Sequence, residues 1–251
     1  MSNSPLFSII TITWNAEREL PATLASVDCQ TFADYEHLII DGASTDATLR
    51  LARAADNPRR HTFSEPDKGL YDAMNKGLHR ARGRYVIFLN AGDAFSTPDM
   101  LYRYAEAAGE DVDIIYADTQ LVDARRDVVG PRHLSVPERL TYKSFARGML
   151  VCHQAFAMRR DKAPDYDLRY RFSADYDWCL RCLKLTTPER CRNLHVVAID
   201  YLTDGLTDKN HKASLRERYE IMCRHFGKLP TIIRHIGFAF RAATRNLTHG
   251  K

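Results

Sequence analysis

Apolar residues in the first half of the chain gather in short runs that alternate with segments of helical spacing. Such runs are typical of strands buried on both faces of a sheet, and they predict strands at 6–13, 36–40, 61–64, 85–89 and 113–116. The intervening segments predict helices at 17–30, 48–55, 71–81 and 97–108. This order of strands and helices predicts βαβ units, and therefore an α/β fold with a mostly parallel central sheet flanked by helices.

The regular alternation ends near residue 116. Residues 117–172 carry three prolines and no clear period, so they are predicted to be irregular. Beyond them the pattern predicts a helix, a strand and a second helix, at 176–185, 194–199 and 215–226. We therefore expect one domain over residues 1–228, in which a nucleotide-binding half at 6–120 is completed by a second half at 121–228.

The remaining tail, residues 229–251, mixes apolar and basic side chains. Ile232, Ile233 and Ile236 recur at helical spacing around Arg234 and other basic residues. A basic amphipathic helix of this kind suits the interface of an anionic membrane. It suits equally a helix that packs on the domain and turns its basic face to water, and the sequence leaves both interpretations open.

Composition sets further limits. The chain has 251 residues, of which 45% are hydrophobic, enough for a sizeable core, and a formal net charge of +4. No apolar run is long enough to span a bilayer and the first residues do not resemble a signal peptide, so we expect a cytoplasmic protein. Six cysteines are then expected to stay reduced, and the pair Cys179 and Cys182 lacks a fourth zinc ligand at a recognisable spacing.

Polar side chains follow four of the predicted strands, at the ends where open α/β sheets bind ligands. These loops span 13–17, 41–46, 65–69 and 90–93. Asp41 at a strand tip suits hydrogen bonds from a nucleobase or ribose, although Asp-Gly is also common in turns. Asp93 offers hard oxygen ligands to Mg²⁺ or Mn²⁺, although Asn-x-Gly-Asp also occurs in ordinary turns. Convergence of the loops predicts a ligand site at this edge of the sheet.

The second half adds further candidates. His153 and Gln154 are adjacent, and Asp175 and Asp177 precede the apolar positions of a predicted helix. A carboxylate at a helix start is stabilised by the helix dipole, and at the mouth of a crevice it suits a general base. The chain lacks G-x-x-x-x-G-K-[ST], G-x-G-x-x-G and G-x-S-x-G, which argues against P-loop, dinucleotide-binding and serine-hydrolase chemistry.

Four motifs taken together resemble family 2 glycosyltransferases, which have the GT-A fold. They are Phe7–Asn15, Leu38–Thr48, Ser64–Gly77 and Phe88–Asp93, in the order in which the family has them. The resemblance is strong over residues 6–120 and continues more weakly through His153-Gln154 and Ala174-Asp175. The motif at 64–77 is most similar to bacterial enzymes that build colanic acid and other exopolysaccharides.

The resemblance implies inverting transfer of a sugar from a nucleotide-diphospho-sugar in a single GT-A domain. It implies that Asp41 holds the base, usually uracil, that Asp93 binds Mn²⁺ or Mg²⁺ on the diphosphate, and that Asp175 is the catalytic base. The donor-binding residues that it implies are Thr13, Asn15, Glu17, Asp41, Asp67, Lys68, Asn75 and Asn90.

Two positions depart from the family pattern. The first acid of the family's D-x-D motif is Asn90 here, so the metal site has one charge fewer. The Glu of the Glu-Asp motif is Ala174, which leaves Asp177 as the fallback for the base. The residues expected on the acceptor side are His153, Gln154, Asp177 and His211, the last also within reach of the diphosphate.

The partners implied are a nucleotide-diphospho-sugar donor, such as a UDP-sugar, and a glycan or lipid-linked acceptor at the cytoplasmic face of a membrane that the tail would touch. The alternative is a non-catalytic sugar-nucleotide-binding or scaffold protein of a polysaccharide assembly complex. A sugar-nucleotide pyrophosphorylase would need a glycine-rich loop after Ile10, which the chain lacks. Nucleic-acid binding is not expected, because the basic residues of the tail are few and no known binding module frames them.

Overall fold

The strands of the protein form one mixed sheet in the computed structural model, which describes residues 4–54, 57–203 and 211–236. The strands are β1 Phe7–Thr13, β2 Tyr35–Asp41, β3 Arg60–Ser64, β4 Tyr85–Phe88, β5 Ala94–Phe95, β6 Ile114–Val122, β7 Val128–Pro131, β8 Phe156–Arg159 and β9 Cys191–Leu202. Within the described residues their order is β3-β2-β1-β4-β8-β6-β9-β5, and β7 pairs with β6 at the side.

Helices cover both faces of this sheet. They are α1 Leu20–Asp28, α2 Thr48–Ala54, α3 Leu70–Arg80, α4 Met100–Ala107, α5 Ala174–Lys184 and α6 His211–Phe226, and residues 228–236 are again helical. A Cβ atom on Gly77 of α3 would come within 2.5 Å of Ile10 Cγ2, so the absence of a side chain lets α3 approach β1 closely.

The first half has the predicted βαβ arrangement. Strand β1 pairs in parallel with β2 and β4, and β2 pairs in parallel with β3. Every residue of β1, β2 and β4 is buried, which explains why these strands are continuous apolar runs in the sequence. Their carboxyl ends lie at one edge of the sheet, and the loops at 13–17, 41–46 and 90–93 follow them there.

The second half is more ordered than predicted. Residues 117–172 were expected to be irregular, but they contain the end of β6 and the strands β7 and β8. Strand β8 runs antiparallel to both β4 and β6, so β6 points in the same direction as β4. The carboxyl end of β6 therefore lies at the same edge of the sheet as the loops of the first half.

Two apolar cores lie on opposite faces of the sheet. The first packs α3 and α5 against β1, β4 and β6, and it includes the stacked or crossed rings of Phe88, His153, Tyr166 and Trp178. The second packs α4 against the other face. Cys179 and Cys182 lie in the first core as buried free thiols.

The helical segment 228–236 packs with its polar side inward. Thr231 is fully buried and the Arg234 guanidinium lies 5.6 Å from the centre of the Phe226 ring. Leu229, Ile232, Ile233 and Ile236 are 37–68% exposed. The apolar side of this helix therefore faces outward, the reverse of a helix that buries its apolar side. The rest of the tail, 237–251, lies outside the described residues. Within the part of the chain that the structure describes, none of the helices has both the length and the apolar character needed to cross a bilayer.

Candidate active site

The loops after β1 and β2 hold each other in place. Asn15 adopts a left-handed backbone with φ of 47°, and its Oδ1 accepts a hydrogen bond from the Thr45 backbone N–H at 2.9 Å. The backbone N–H of Asn15 donates to Ser44 Oγ at 2.9 Å, and Glu17 Oε2 accepts from the backbone N–H of Ala47 at 3.0 Å. Asn15 and Glu17 therefore fix the loop after β1 against the loop after β2.

The carboxylate of Asp41 lies at the end of β2. It is fully buried, and it accepts hydrogen bonds from Ser44 Oγ at 2.5 Å and from Ser64 Oγ at 2.6 Å. The third bond comes from the Ser44 backbone N–H at 3.1 Å, so Asp41 ties the ends of β2 and β3 together. Nearby, Thr13 Oγ1 is buried with no hydrogen-bond partner among the described residues.

Three loops meet at Gly42. A Cβ atom on Gly42 would lie 2.4 Å from Asp67 Oδ2 and 3.4 Å from Trp14 Cδ1. Asp67 Oδ1 accepts a hydrogen bond from the Gly69 backbone N–H at 2.8 Å, and the Lys68 side chain is exposed. Trp14 lies beside this junction and is 68% exposed. The sequence analysis did not single it out as a site residue.

Asn75 lies in α3 but its amide is engaged within the fold. Its Nδ2 donates to the Tyr166 carbonyl at 3.1 Å, and its Oδ1 accepts from the Tyr166 backbone N–H at 2.7 Å. These two bonds fix the chain around Tyr166, whose ring stacks on Tyr71 at 5.7 Å. The structure thus gives Asn75 a positioning role, and its contact with the ribose or diphosphate stays a prediction.

Asp93 and Asn90 follow β4 and face the second half. Asp93 Oδ2 accepts from Gln154 Nε2 at 2.9 Å, and Oδ1 accepts from the Leu202 backbone N–H at 3.0 Å. Burial raises the pKa of Asp93 to about 7. Asn90 Oδ1 is buried with no hydrogen-bond partner in the described part of the chain. Between residues 4 and 236, excluding the two undescribed gaps, no group of three His, Cys, Asp or Glu side chains could hold a metal ion.

Asp175 begins α5 and is half-buried. Its Oδ1 accepts hydrogen bonds from the Tyr71 hydroxyl at 3.1 Å and from the Tyr176 backbone N–H at 2.9 Å. Burial, followed by the charge of Asp175, raises the pKa of Tyr71 well above its usual value. The phenol therefore stays protonated and acts as a donor to the carboxylate.

Glu217 of α6 fixes the start of α5. Its carboxylate accepts hydrogen bonds from the backbone N–H groups of Arg171 and Phe172 at 2.8 Å and of Ser173 at 2.9 Å. A helix start leaves several N–H groups without intrahelical partners, and Glu217 supplies acceptors to the chain that leads into it. No local pattern in the sequence distinguishes Glu217 from the other charged residues of its helix.

Two predicted acceptor-side residues serve the core. Asp177 is 1% exposed, and it accepts hydrogen bonds from Arg181 Nε at 2.7 Å and from His225 Nε2 at 2.8 Å, which removes it as the fallback base. His153 is 3% exposed and its Nε2 lies 2.5 Å from the Tyr166 hydroxyl. Burial lowers the pKa of His153 to about 4, so the ring is neutral at pH 7. His211 begins α6, and its side chain lies outside the described part of the structure.

Arg126 lies in the turn between β6 and β7 and was not predicted. Its backbone is left-handed, with φ of 70°, and its Nη1 is buried with no hydrogen-bond partner among the described residues. The charge of Arg126 acts to lower the pKa of Asp93, although burial outweighs it. The structure therefore brings the positive charge of Arg126 into electrostatic range of Asp93.

Comparison with known proteins agrees with this geometry. The family described as "Glycosyl transferase family 2" matches residues 8–166. A PGL/p-HBAD biosynthesis glycosyltransferase of Mycobacterium tuberculosis is 36% identical over 222 residues, 82% of each chain. The Escherichia coli UDP-Glc:alpha-D-GlcNAc-diphosphoundecaprenol beta-1,3-glucosyltransferase WfgD is 24% identical over 180 residues, 71% of this chain and 70% of that protein. The crystal structure of S. aureus TarS with UDP-GlcNAc is similar with a TM-score of 0.67 and 16% identity, over 92% of this chain and 73% of that chain. The chain therefore belongs to glycosyltransferase family 2, and its sheet has the GT-A fold that its motifs implied.

Proposed function

We propose that this protein is an inverting glycosyltransferase that moves a sugar from a UDP-sugar to a hydroxyl of a glycan or lipid-linked acceptor. The observation that carries the proposal is the setting of Asp175. It is a half-buried carboxylate at a helix start, and Tyr71 of the 64–77 motif donates a hydrogen bond to it. Inversion in a single displacement requires one base of this kind and no covalent nucleophile.

Asp175 acts as the general base. The Tyr71 hydroxyl and the Tyr176 N–H both donate to Oδ1, while Oδ2 accepts no hydrogen bond from the described residues. We assign Oδ2 to receive the proton of the acceptor hydroxyl. The acceptor oxygen then bonds to the anomeric carbon as the bond from that carbon to the diphosphate oxygen breaks on the opposite face.

Asp93 and Asn90 would hold Mn²⁺ or Mg²⁺. Their oxygens fit such an ion, because each Asp93 oxygen keeps a lone pair beyond its one hydrogen bond and Asn90 Oδ1 is unpartnered among the described residues. When bound, a divalent ion offsets negative charge on the leaving diphosphate. Arg126 would add a fixed positive charge next to this position.

The loops around Gly42 would bind the uridine part of the donor. The exposed ring of Trp14 offers an apolar face for the base. Asp41 would reach the base only by exchanging a bond from Ser44 or Ser64 for a bond to the base. TarS was solved with UDP-GlcNAc and the name of the E. coli relative gives UDP-Glc as donor, and both favour uridine.

The apolar stripe Leu229, Ile232, Ile233 and Ile236 would place the enzyme peripherally on the cytoplasmic face of a membrane. Its side chains point away from the domain, and the exposed Lys228 lies next to it. An interfacial helix inserts such a face while nearby cations meet anionic headgroups. The acceptor named for the E. coli relative is a diphosphoundecaprenol-linked sugar, which supports a membrane-bound acceptor here.

A donor screen on the full chain tests the proposed reaction. UDP-glucose, UDP-GlcNAc and GDP-mannose are added with and without Mn²⁺, together with a diphosphoundecaprenol-linked sugar as acceptor. The thermal midpoint and the release of nucleoside diphosphate are both measured. We expect one UDP-sugar to raise the midpoint and to be turned over, since a ligand of the native state stabilises it. Asp175→Asn should keep donor binding but lose turnover at least about 100-fold.

The exposed Asp111, on the far side of the sheet from the loops, provides the matched control as Asp111→Asn, with full turnover expected. Turnover by Asp175→Asn at the wild-type rate would remove Asp175 from the role of base. Donor binding without turnover in the wild type would favour the non-catalytic alternative. That alternative is supported by Asn90, which is uncharged where the family motif has an acid.

A further inference from the structure

A cavity of about 420 Å³ lies beside the β6–β7 hairpin, outside the residues assigned above. Its walls are partly polar and partly apolar, and they include Asp118, Gln120, Arg132, Leu134, Val136 and Val197. Its volume falls within the range of roughly 300–1,000 Å³ that is usual for small-molecule sites. The segment that covers it is anchored to β6, because the Tyr116 hydroxyl donates to the Pro137 and Glu138 carbonyls at 3.2 and 2.8 Å.

The sheet register places this cavity level with the proposed diphosphate site. Met158 of β8 pairs with Val86 of β4 on one side and with Ile114 of β6 on the other. Strands β4 and β6 run in the same direction. Asp118 follows Ile114 at the same separation along the chain as Asn90 follows Val86, so Asp118 and Asn90 lie at the same level of the sheet. Two strand spacings, about 10 Å, separate these positions across the sheet.

Gln154 lies between Asn90 and Asp118 across the sheet, and it already belongs to the proposed diphosphate site. The chain that leads into β8 crosses the edge of the sheet between β4 and β6, and there Gln154 donates to Asp93 at 2.9 Å. Asp118 also faces the core of α3 and α5, because it alternates along β6 with Ile114 and Tyr116, which belong to that core. The cavity therefore opens on the face of the sheet that carries Asp175.

Asp118 differs from its neighbours in how its carboxylate is engaged. It is half-buried, and its carboxylate has no hydrogen bond or ion pair with any of the described residues. Asp200 nearby accepts from Gln120 at 2.7 Å, and the buried Asp113 at the other end of β6 is paired with Lys162 and Arg190. The carboxylate oxygens of Asp118 are therefore free to accept hydrogen bonds from a ligand in the cavity.

We propose that this cavity binds a pyranose ring, with Asp118 accepting hydrogen bonds from adjacent ring hydroxyls. The apolar side chains of Leu134 and Val136 suit the C–H face of such a ring, and the remaining hydroxyls lie toward Gln120 and Arg132. The inference rests on the proposed function. The ring comes either from the sugar of the donor or from the sugar of the acceptor, and the test separates the two.

The test compares Asp118→Asn and Val136→Trp with the wild type in the full chain. Affinities for UDP, UDP-glucose and UDP-GlcNAc are measured by calorimetry with Mn²⁺. Saturation-transfer NMR with UDP present then reports binding of the methyl glycosides of glucose, N-acetylglucosamine and rhamnose. The matched control is Asp127→Asn, which removes an exposed carboxylate from the turn of the same hairpin.

If the ring belongs to the donor, Asp118→Asn weakens UDP-sugar binding at least about tenfold and leaves UDP binding unchanged, since charge-assisted hydrogen bonds are lost. If it belongs to the acceptor, all three nucleotide affinities stay as in the wild type and the signal of a methyl glycoside disappears. Val136→Trp should reproduce either result by filling the cavity, and Asp127→Asn should behave as the wild type.

The proposal is wrong if Asp118→Asn and Val136→Trp both bind the UDP-sugars and the methyl glycosides as the wild type does. It is equally wrong if the wild type binds no methyl glycoside and Asp118→Asn binds UDP-sugars normally. A wild type that binds no nucleotide at all would instead contradict the proposed function. Thermal midpoints close to that of the wild type confirm that the variants are folded.

Discussion

At the scale of single residues, the hydroxyl of Tyr71 offers the sharpest test of how a hydrogen bond supports Asp175 as the base. Tyr71→Phe removes the 3.1 Å hydrogen bond and keeps the ring, which is 6% exposed and stacked on Tyr166. We expect kcat to fall about tenfold, with an unchanged KM for the donor, because a hydrogen bond to a charged group is lost.

The control for this prediction is Tyr102→Phe, which removes an exposed hydroxyl from α4 on the other face of the sheet. It should leave kcat unchanged. A Tyr71→Phe enzyme that turns over at the wild-type rate would show that this hydroxyl does not assist Asp175.

Local patterns predicted many candidate residues but not their contacts. Polar residues at a strand end and a helix start drew attention to Asp93 and Asp175, and the family resemblance drew attention to Gln154. The bond from Gln154 to Asp93 spans 61 positions and the bond from Tyr71 to Asp175 spans 104. Such pairings depend on the order of strands in the sheet, which no local pattern contains. Asp177 illustrates the same limit. It was a candidate for the base by its position, but its pairing with His225 could not be predicted from the sequence.

At the scale of elements, the sequence predicted the strands of the parallel part of the sheet, including the less buried β3. Strands β1, β2 and β4 lie within the parallel part of the sheet, where burial imposes a continuous apolar run. The short strands β5, β7 and β8 were missed, because two to four residues carry too little periodicity and only their partners define them. The first half of the fold could therefore be predicted from the sequence. In the second half the sequence predicted α5, α6 and part of β9, but not β7 and β8.

The outward apolar stripe on residues 228–236 makes a prediction at the same scale. The triple substitution Ile232→Ser, Ile233→Ser and Ile236→Ser should reduce binding to vesicles of phosphatidylglycerol and phosphatidylethanolamine at least about tenfold, because apolar side chains no longer enter the interface. Co-sedimentation measures this loss, and the fold should be unaffected since the three side chains are exposed.

The matched control is Leu168→Ser with Leu185→Ser, which removes apolar side chains of similar exposure, 52% and 54%, from elsewhere on the surface. It should bind vesicles as the wild type does. Equal binding by the triple variant and the wild type would show that the stripe meets another surface, such as a second copy of the chain.

At the scale of the whole molecule, ionisable groups buried in the sheet decide how stability depends on pH. Burial raises the pKa of Asp113, but hydrogen bonds from Arg190, Lys162 and Thr186 outweigh it and hold the pKa below its usual range. The stability that this carboxylate contributes is lost only at strongly acidic pH. Between pH 4 and 7 the groups that matter are the buried histidines His37 and His153, opposed by Asp93.

His37 allows this balance to be measured. Burial, together with the charge of Arg60, lowers its pKa to about 3, whereas an unfolded histidine titrates near 6.5. A proton therefore binds the unfolded chain more readily, so the contribution is complete above about pH 6.5 and is lost as the pH falls toward 3. Between pH 7.5 and 5 the loss amounts to about 2 kcal/mol, and His153 adds a similar loss. Asp93 has a raised pKa, so its contribution to the stability grows over the same interval and offsets part of this loss.

Urea unfolding tests this balance on the wild type and on His37→Gln, which keeps a partner for Thr11 Oγ1. The pH dependence of the free energy of unfolding should be weaker in the variant by about 2 kcal/mol. Parallel curves for the two proteins would mean that His37 is protonated within the folded sheet.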